Sequence, residues 1–184
     1  MSRVFIALPV PKRIEQRLID IQKNIKVSER ASIKWVEEGN FHITLEFLGE
    51  IGDQEIERAK EALKMIVDNY PRFELSLVKV DAFPSLKKAG VLVVKVDDAE
   101  GVGLQLRQDI HKQLKELGLS DNGRRWKPHL TLGRAKKLLK LSQLSEMGIE
   151  DTSWMVKELV LYESFLTRSG PIYKVLAKYD LNKK

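Results

Sequence analysis

Two short stretches of this chain repeat each other, and the repetition limits the fold more than any other feature. Phe41-His42-Ile43-Thr44-Leu45 and Pro128-His129-Leu130-Thr131-Leu132 each set a histidine and a threonine two residues apart among apolar neighbours. In a strand, alternation puts His42 and Thr44 on one face with Ile43 and Leu45 on the other, and treats His129 and Thr131 in the same way. Each run can anchor itself in a core while holding out an imidazole beside a hydroxyl. With three His and four Thr in 184 residues, two of the three histidines meeting such a threonine by chance comes to about one in a thousand. One such pattern alone would be structural; the pair points to a site. The third histidine, His111, has no such context and reads as an ordinary helix residue.

Around the motifs the chain alternates irregularly between strand and helix signals. Apolar, β-rich runs predict strands over 3–10, 33–36, 41–48, 73–82 and 91–96, the second motif strand around 129–132, and a closing pair over 155–166 and 172–181. Helical spacing of Ile14, Leu18, Ile21 and Ile25 predicts a helix over 12–26. A second starts at Asp53 as N-cap, with Ile56, Ala59, Leu63 and Ile66 on its stripe, and ends near Tyr70. A third covers 101–117 through Leu104, Leu106, Ile110, Leu114 and Leu117, with Gly118 near its end. Residues 84–90 read as a turn, and 138–147 as a short helix. This order, with parallel and antiparallel connections both expected, is α+β rather than a regular βαβ series. The motif histidines lie 87 residues apart, and strand, helix, motif strand occurs in each half. The chain, 1–184, therefore reads as one domain of two similar lobes, each giving one motif strand to a shared cleft.

Charge is concentrated beside the second motif. Arg124, Arg125, Lys127, Arg134, Lys136, Lys137 and Lys140 fall in one window without a carboxylate, seven positive charges against +6 for the whole chain, so everything outside it nets to −1. A focal basic run suits a polyanion such as RNA, and a solvated lysine-rich loop is the plain alternative. Absence of cysteine fits a reducing compartment. Neither a signal-peptide pattern nor an apolar run of membrane-span length occurs, so a cytoplasmic protein without a membrane partner is expected.

Two histidines facing one cleft suit either a metal or an acid–base pair. Metal sites need three or four ligands, and only Glu46 joins His42 on its predicted face, with Gly133 at the matching place in the second motif. No metal or other cofactor is expected. Acid–base work is the better reading: one neutral imidazole takes a proton from the attacking group while a protonated one gives a proton to the leaving oxygen, with a bell-shaped rate profile. Thr44 and Thr131 can bind phosphate oxygens, and Arg134 can join them if Gly133 bends the strand. Phe47 falls opposite His42 by alternation and reads as core, with base stacking as its functional alternative; Trp126 could stack on a base or anchor its loop. Phe5 faces the same choice between base stacking and packing and reads as core, and Tyr173 reads as packing in the closing hairpin. Lys87 and Lys88 read as a solvated turn, with a cationic rim as the alternative. Arg124, Arg125, Lys127, Lys136 and Lys137 are candidates for RNA-backbone contact.

His42-Ile43-Thr44-Leu45 and His129-Leu130-Thr131-Leu132 resemble the paired signature of the 2H phosphoesterases. Arg3-Val4-Phe5-Ile6-Ala7-Leu8 near the start, and Glu163-Ser164-Phe165-Leu166 and Gly170-Pro171-Ile172-Tyr173 near the end, resemble the RNA 2',3'-cyclic phosphodiesterases, also called 2'-5' RNA ligases. The resemblance implies a bilobal fold with pseudo-twofold symmetry. It implies metal-independent hydrolysis of RNA 2',3'-cyclic phosphate ends to 2'-phosphomonoesters, with His42 as proton donor and His129 as acceptor. It also implies reversible ATP-independent 2'-5' ligation in some members, tRNA halves among the RNA partners, and a monomer. Another phosphodiester substrate, or an inactive RNA-binding module, remains the alternative.

Overall fold

The computed structural model describes residues 1–25, 33–120, 125–141, 143–144, 149, 152–167 and 170–183. In chain order the elements are β1 (Ser2–Pro9), α1 (Lys12–Asn24), β2 (Ile33–Trp35), β3 (His42–Ile51), α2 (Asp53–Val67), β4 (Phe73–Ser85), β5 (Lys88–Asp97), α3 (Val102–Glu116), β6 (His129–Leu139), β7 (Ser153–Val156), β8 (Glu158–Leu166) and β9 (Pro171–Asp180). The strands form two sheets, of order β3-β1-β8-β9 and β2-β6-β5-β4-β7. Among the described residues every strand pairing is antiparallel, and the parallel connections expected from the sequence reduce to one isolated bridge between Pro71 and Asn182. The reason is that no helix joins two neighbouring strands running the same way, which is what a parallel ladder requires.

The two sheets are assembled alike. The run β3-β1-β8 in one matches β6-β5-β4 in the other, with a motif strand beside a central strand that leads into a helix. The helices then change sides. α1 leaves β1 but reaches the second sheet, where the Gln22 amide donates to the Leu132 carbonyl of β6 and the Arg13 guanidinium to the Ser153 carbonyl of β7. α3 leaves β5 but meets the first sheet, where Arg107 pairs with Glu46 of β3. Ile14, Leu18 and Ile21 of α1, and Leu106, Ile110 and Leu114 of α3, are all buried, and one apolar cluster runs through both sheets. Truncating any of these to alanine costs about 2–5 kcal/mol.

Several boundaries differ from the sequence expectation. Gly52, not Asp53, caps α2, because the Glu55 carboxylate turns back to accept the Gly52 N–H at 2.8 Å. Leu104 is exposed, and Gly103 takes the core-facing place on α3. The turn expected over 84–90 narrows to Leu86 and Lys87 between β4 and β5. The closing strand over 155–166 breaks at Lys157: β7 pairs with β4 and β8 with β1, so the chain passes there from one sheet to the other. The helix expected over 138–147 does not begin at its start, since Leu138 and Leu139 extend β6 and Leu139 pairs with Ala89. An apolar run that short fits either period; residues 142 and 145–148 lie outside the described residues. No helix among the described residues is long and apolar enough to cross a membrane.

Candidate active site

β3 and β6 open on the same burial sequence. In both, the histidine is half-buried, its neighbour buried, the threonine half-buried, two residues buried, and the sixth exposed. Two buried residues in succession mark a β-bulge. Ala7 pairs with Thr44 but Ile6 with Glu46, leaving Leu45 extra; Val93 pairs with Thr131 but Leu92 with Gly133, leaving Leu132 extra. One inserted residue reverses the facing of everything after it. Phe47, placed on the core face by alternation, is 52% exposed on the histidine face, while Glu46, expected beside His42, is 3% exposed inside. Arg134 is turned outward by the same device, which meets the condition set on it by sequence.

Each bulge is pinned by a side chain from elsewhere in the chain. The Trp126 indole N–H donates to the Thr44 carbonyl at 3.0 Å, and the Gln22 amide to the Leu132 carbonyl at 2.8 Å. Glu46 inside accepts the Ser120 hydroxyl at 2.8 Å, pairs with Arg107 at 3.1 Å and lies 3.4 Å from Nδ1 of His111. Gly133 holds the matching place because β2 closes over it: a Cβ there would come within 2.7 Å of Ile33 Cγ2 and 3.1 Å of the Lys34 carbonyl. Trp126→Phe keeps the ring and removes only the N–H. We expect a loss of about 0.5–1.5 kcal/mol, read as a Tm lower by about 1–6 °C, together with a fall in kcat because Thr44 and Phe47 lose their fixed positions. An unchanged kcat at lowered Tm would restrict the indole to stability.

The histidines are held identically. His42 Nδ1 lies 2.9 Å from the Asn40 carbonyl and His129 Nδ1 lies 2.7 Å from the Lys127 carbonyl. A carbonyl only accepts, so each Nδ1 carries hydrogen and each Nε2 is left for chemistry. Both line a cleft of about 530 Å³ together with Thr44, Thr131, Phe47 and Arg134. His42 sits among aromatic rings, with Phe5 at 4.9 Å and Tyr173 edge-on at 5.2 Å between centroids. Burial, against the Asn40 carbonyl and assisted by the charges of His129 and Arg134, pushes His42 down to about 4. Burial and Arg134 also lower His129. Both imidazoles therefore favour the neutral form more strongly than exposed ones do.

The other candidates divide. Trp126 is not a cleft residue; it packs on the core and anchors its loop. Among the described residues of the basic window, only Arg134 lines the cleft. Lys127 is exposed just before His129, whereas Lys136 lies seven residues beyond it on β6, about 23 Å at strand rise. Arg125 and Lys137 are exposed outside the cleft too, and Arg124 lies outside the described residues. Sequence reasoning missed Arg3, Lys34 and Asn40, and assigned Phe5 and Tyr173 to packing, though all five line the cleft. Arg3 and Phe5 share the second face of β1, and both faces of that strand are largely buried, which hides the alternation. Among the described residues no three His, Cys, Asp or Glu side chains gather where they could hold a metal ion.

A family model described as LigT like phosphoesterase matches residues 8–93 and 96–173. The chain belongs to that family. A protein from Archaeoglobus fulgidus named RNA 2',3'-cyclic phosphodiesterase is 32% identical over 183 residues, covering 97% of this chain and 99% of the relative. A protein of the same name from Aeropyrum pernix is 37% identical over 151 residues, covering 78% and 84%. Among solved structures, a Thermus thermophilus protein superposes with a TM-score of 0.82 at 26% identity, covering 97% of each chain. The LigT-like fold is thus the α+β arrangement of two sheets and three helices described above.

Proposed function

We propose that this protein hydrolyses RNA 2',3'-cyclic phosphate ends to 2'-phosphomonoesters. The observation that carries the proposal is the pair of imidazoles lining one cleft, each tied by Nδ1 to a backbone carbonyl so that the other nitrogen is left for chemistry. His129 accepts a proton from water as the water oxygen attacks phosphorus; the P–O3' bond breaks, and His42 gives its proton to O3'. Thr44, Thr131 and Arg134 hold the non-bridging oxygens as charge builds. Phe47, outward and 6.0 Å from Phe5 between centroids, takes the terminal base. The proton His42 needs arrives with the substrate, since a phosphodiester anion beside it favours the imidazolium. Both proton transfers are carried by imidazole, so the reaction as proposed needs no metal.

The names of the curated relatives support an RNA 2',3'-cyclic phosphate substrate; tRNA halves among its RNAs and action as a cytoplasmic monomer, both sheets working as one unit, are part of the proposal and rest on the family resemblance alone. Reverse 2'-5' joining would use the same two groups with roles exchanged. The test is incubation with an oligonucleotide ending in a 2',3'-cyclic phosphate, in EDTA, with products separated by mass spectrometry and phosphatase mapping. A 2'-phosphate product with undiminished rate supports the proposal; a 3'-phosphate, or activity restored only by a divalent ion, sinks it.

A further inference from the structure

The register of the second sheet carries the face bearing His129 outward, row by row. His129 pairs with Lys95 and Lys95 with Lys79; Thr131 pairs with Val93 and Val93 with Asp81; Arg134 pairs with Val91 and Val91 with Phe83. Residues directly opposite on a ladder share a face. The intervening rows confirm it, since Val80, Val94 and Leu130 are all buried in the main core, and the Phe83 ring meets His129 edge-on at 5.0 Å. Lys95 therefore stands one strand from His129 and Lys79 two strands, about 5 and 10 Å along the sheet. Neither belongs to the cleft itself.

The first sheet has different residues at the matching steps. His42 pairs with Pro9, and Phe47 pairs with Phe5, which pairs with Tyr162. One flank of the cleft is thus aromatic and the other cationic, although the two strands that build them share one burial sequence. A nucleotide chain presents both complementary groups, a base with a π face and a phosphodiester anion. Resting on the reading of the cleft as a site for RNA cyclic phosphate ends, we infer that Lys95 and Lys79 form a subsite for the backbone phosphates 5' to the terminal nucleotide. The RNA strand leaves the cleft across β5 and β4, and its terminal base lies against Phe47. Asp81 confines the track. It holds Lys95 at 2.5 Å and, one row nearer Arg134, repels a phosphate that strays, while Lys79 stays exposed.

The experiment compares kcat/KM for a nucleoside 2',3'-cyclic phosphate with that for a trinucleotide ending in the same group. The unaltered protein should prefer the trinucleotide, and Lys79→Glu and Lys95→Gln should each lower that preference about fivefold or more. Each should also make the salt dependence on the trinucleotide shallower by roughly 0.7 per cation lost. Lys79 is exposed, so its replacement leaves the fold intact, and Lys87→Glu/Lys88→Glu at the β4–β5 turn is the control with an equal or larger charge change. No preference in the unaltered protein, an undiminished preference in both variants, or an equal loss in the control overturns the subsite. Turnover of both substrates in those cases leaves the cleft chemistry standing; turnover of neither overturns both.

Discussion

Replacing either His42 or His129 by alanine should lower kcat by about 10²–10⁴-fold, and the double variant should lose little more than the worse single one. The two groups act in one proton-transfer sequence, so removing one already strands the other. Neither variant should unfold, because each ring donates only one hydrogen bond, to Asn40 or Lys127, from the wall of an open cleft. Folding is checked by thermal unfolding, and RNA retention by binding at unchanged salt. Retained turnover in either variant would remove the acid–base assignment, and lost turnover together with lost RNA binding would point instead to a binding role.

The pH dependence sharpens this test. Burial holds His42 at about 4 and His129 below its ordinary value. The productive form has one imidazole protonated and one neutral, so kcat/KM, which follows the free protein, should rise as pH falls from 7 and peak on the acid side of 6.5. Bound phosphodiester offsets the charge of Arg134 and favours imidazolium, so the kcat profile should peak at higher pH than kcat/KM. Coincident profiles centred on 6.5 would mean that burial does not depress these rings.

How much of this could be read from the sequence is decided at the bulges. His42, Thr44, His129 and Thr131 lie before any irregularity, and alternation alone gives their common face. Glu46, Phe47 and Arg134 lie after an inserted residue, which no local pattern announces, and all three reverse. The Glu46 carboxylate is then explained by Arg107 and Ser120, partners more than 60 residues away in sequence. The basic window shows the opposite failure. Seven charges close in sequence look like one patch, but β6 is extended, and its eleven residues separate Lys127 from Lys136 and Lys137 by most of its length. Conversely the cleft cations Arg3 and Lys34 are far apart in sequence from Arg134: Lys34 comes directly opposite it through the pairing of β2 with β6, and Arg3 reaches the same cleft from the other sheet. Helix exchange between the sheets is equally unreadable, because the apolar stripes of α1 and α3 say that they are buried and not against which strand.

Arg134→Met should lower kcat/KM for the cyclic phosphate by about 10²–10³-fold, the scale of one lost donor to developing anionic charge. The same substitution has a second effect of fixed sign. The guanidinium is a positive charge near two imidazoles, so it disfavours their protonated forms; without it both pKa values rise, and the residual kcat/KM profile moves to higher pH. Arg134→Lys separates the two effects. It keeps the charge but not the fork of donors, so it should recover the unaltered pH profile while restoring only part of the rate. A rate loss in Arg134→Met without a pH shift would leave Arg134 as a phosphate contact whose field does not reach the histidines. A shift without a rate loss would make it an electrostatic neighbour that never touches the substrate. Only both together, with the lysine variant dividing them, fit a guanidinium turned into the cleft by the bulge at Leu132.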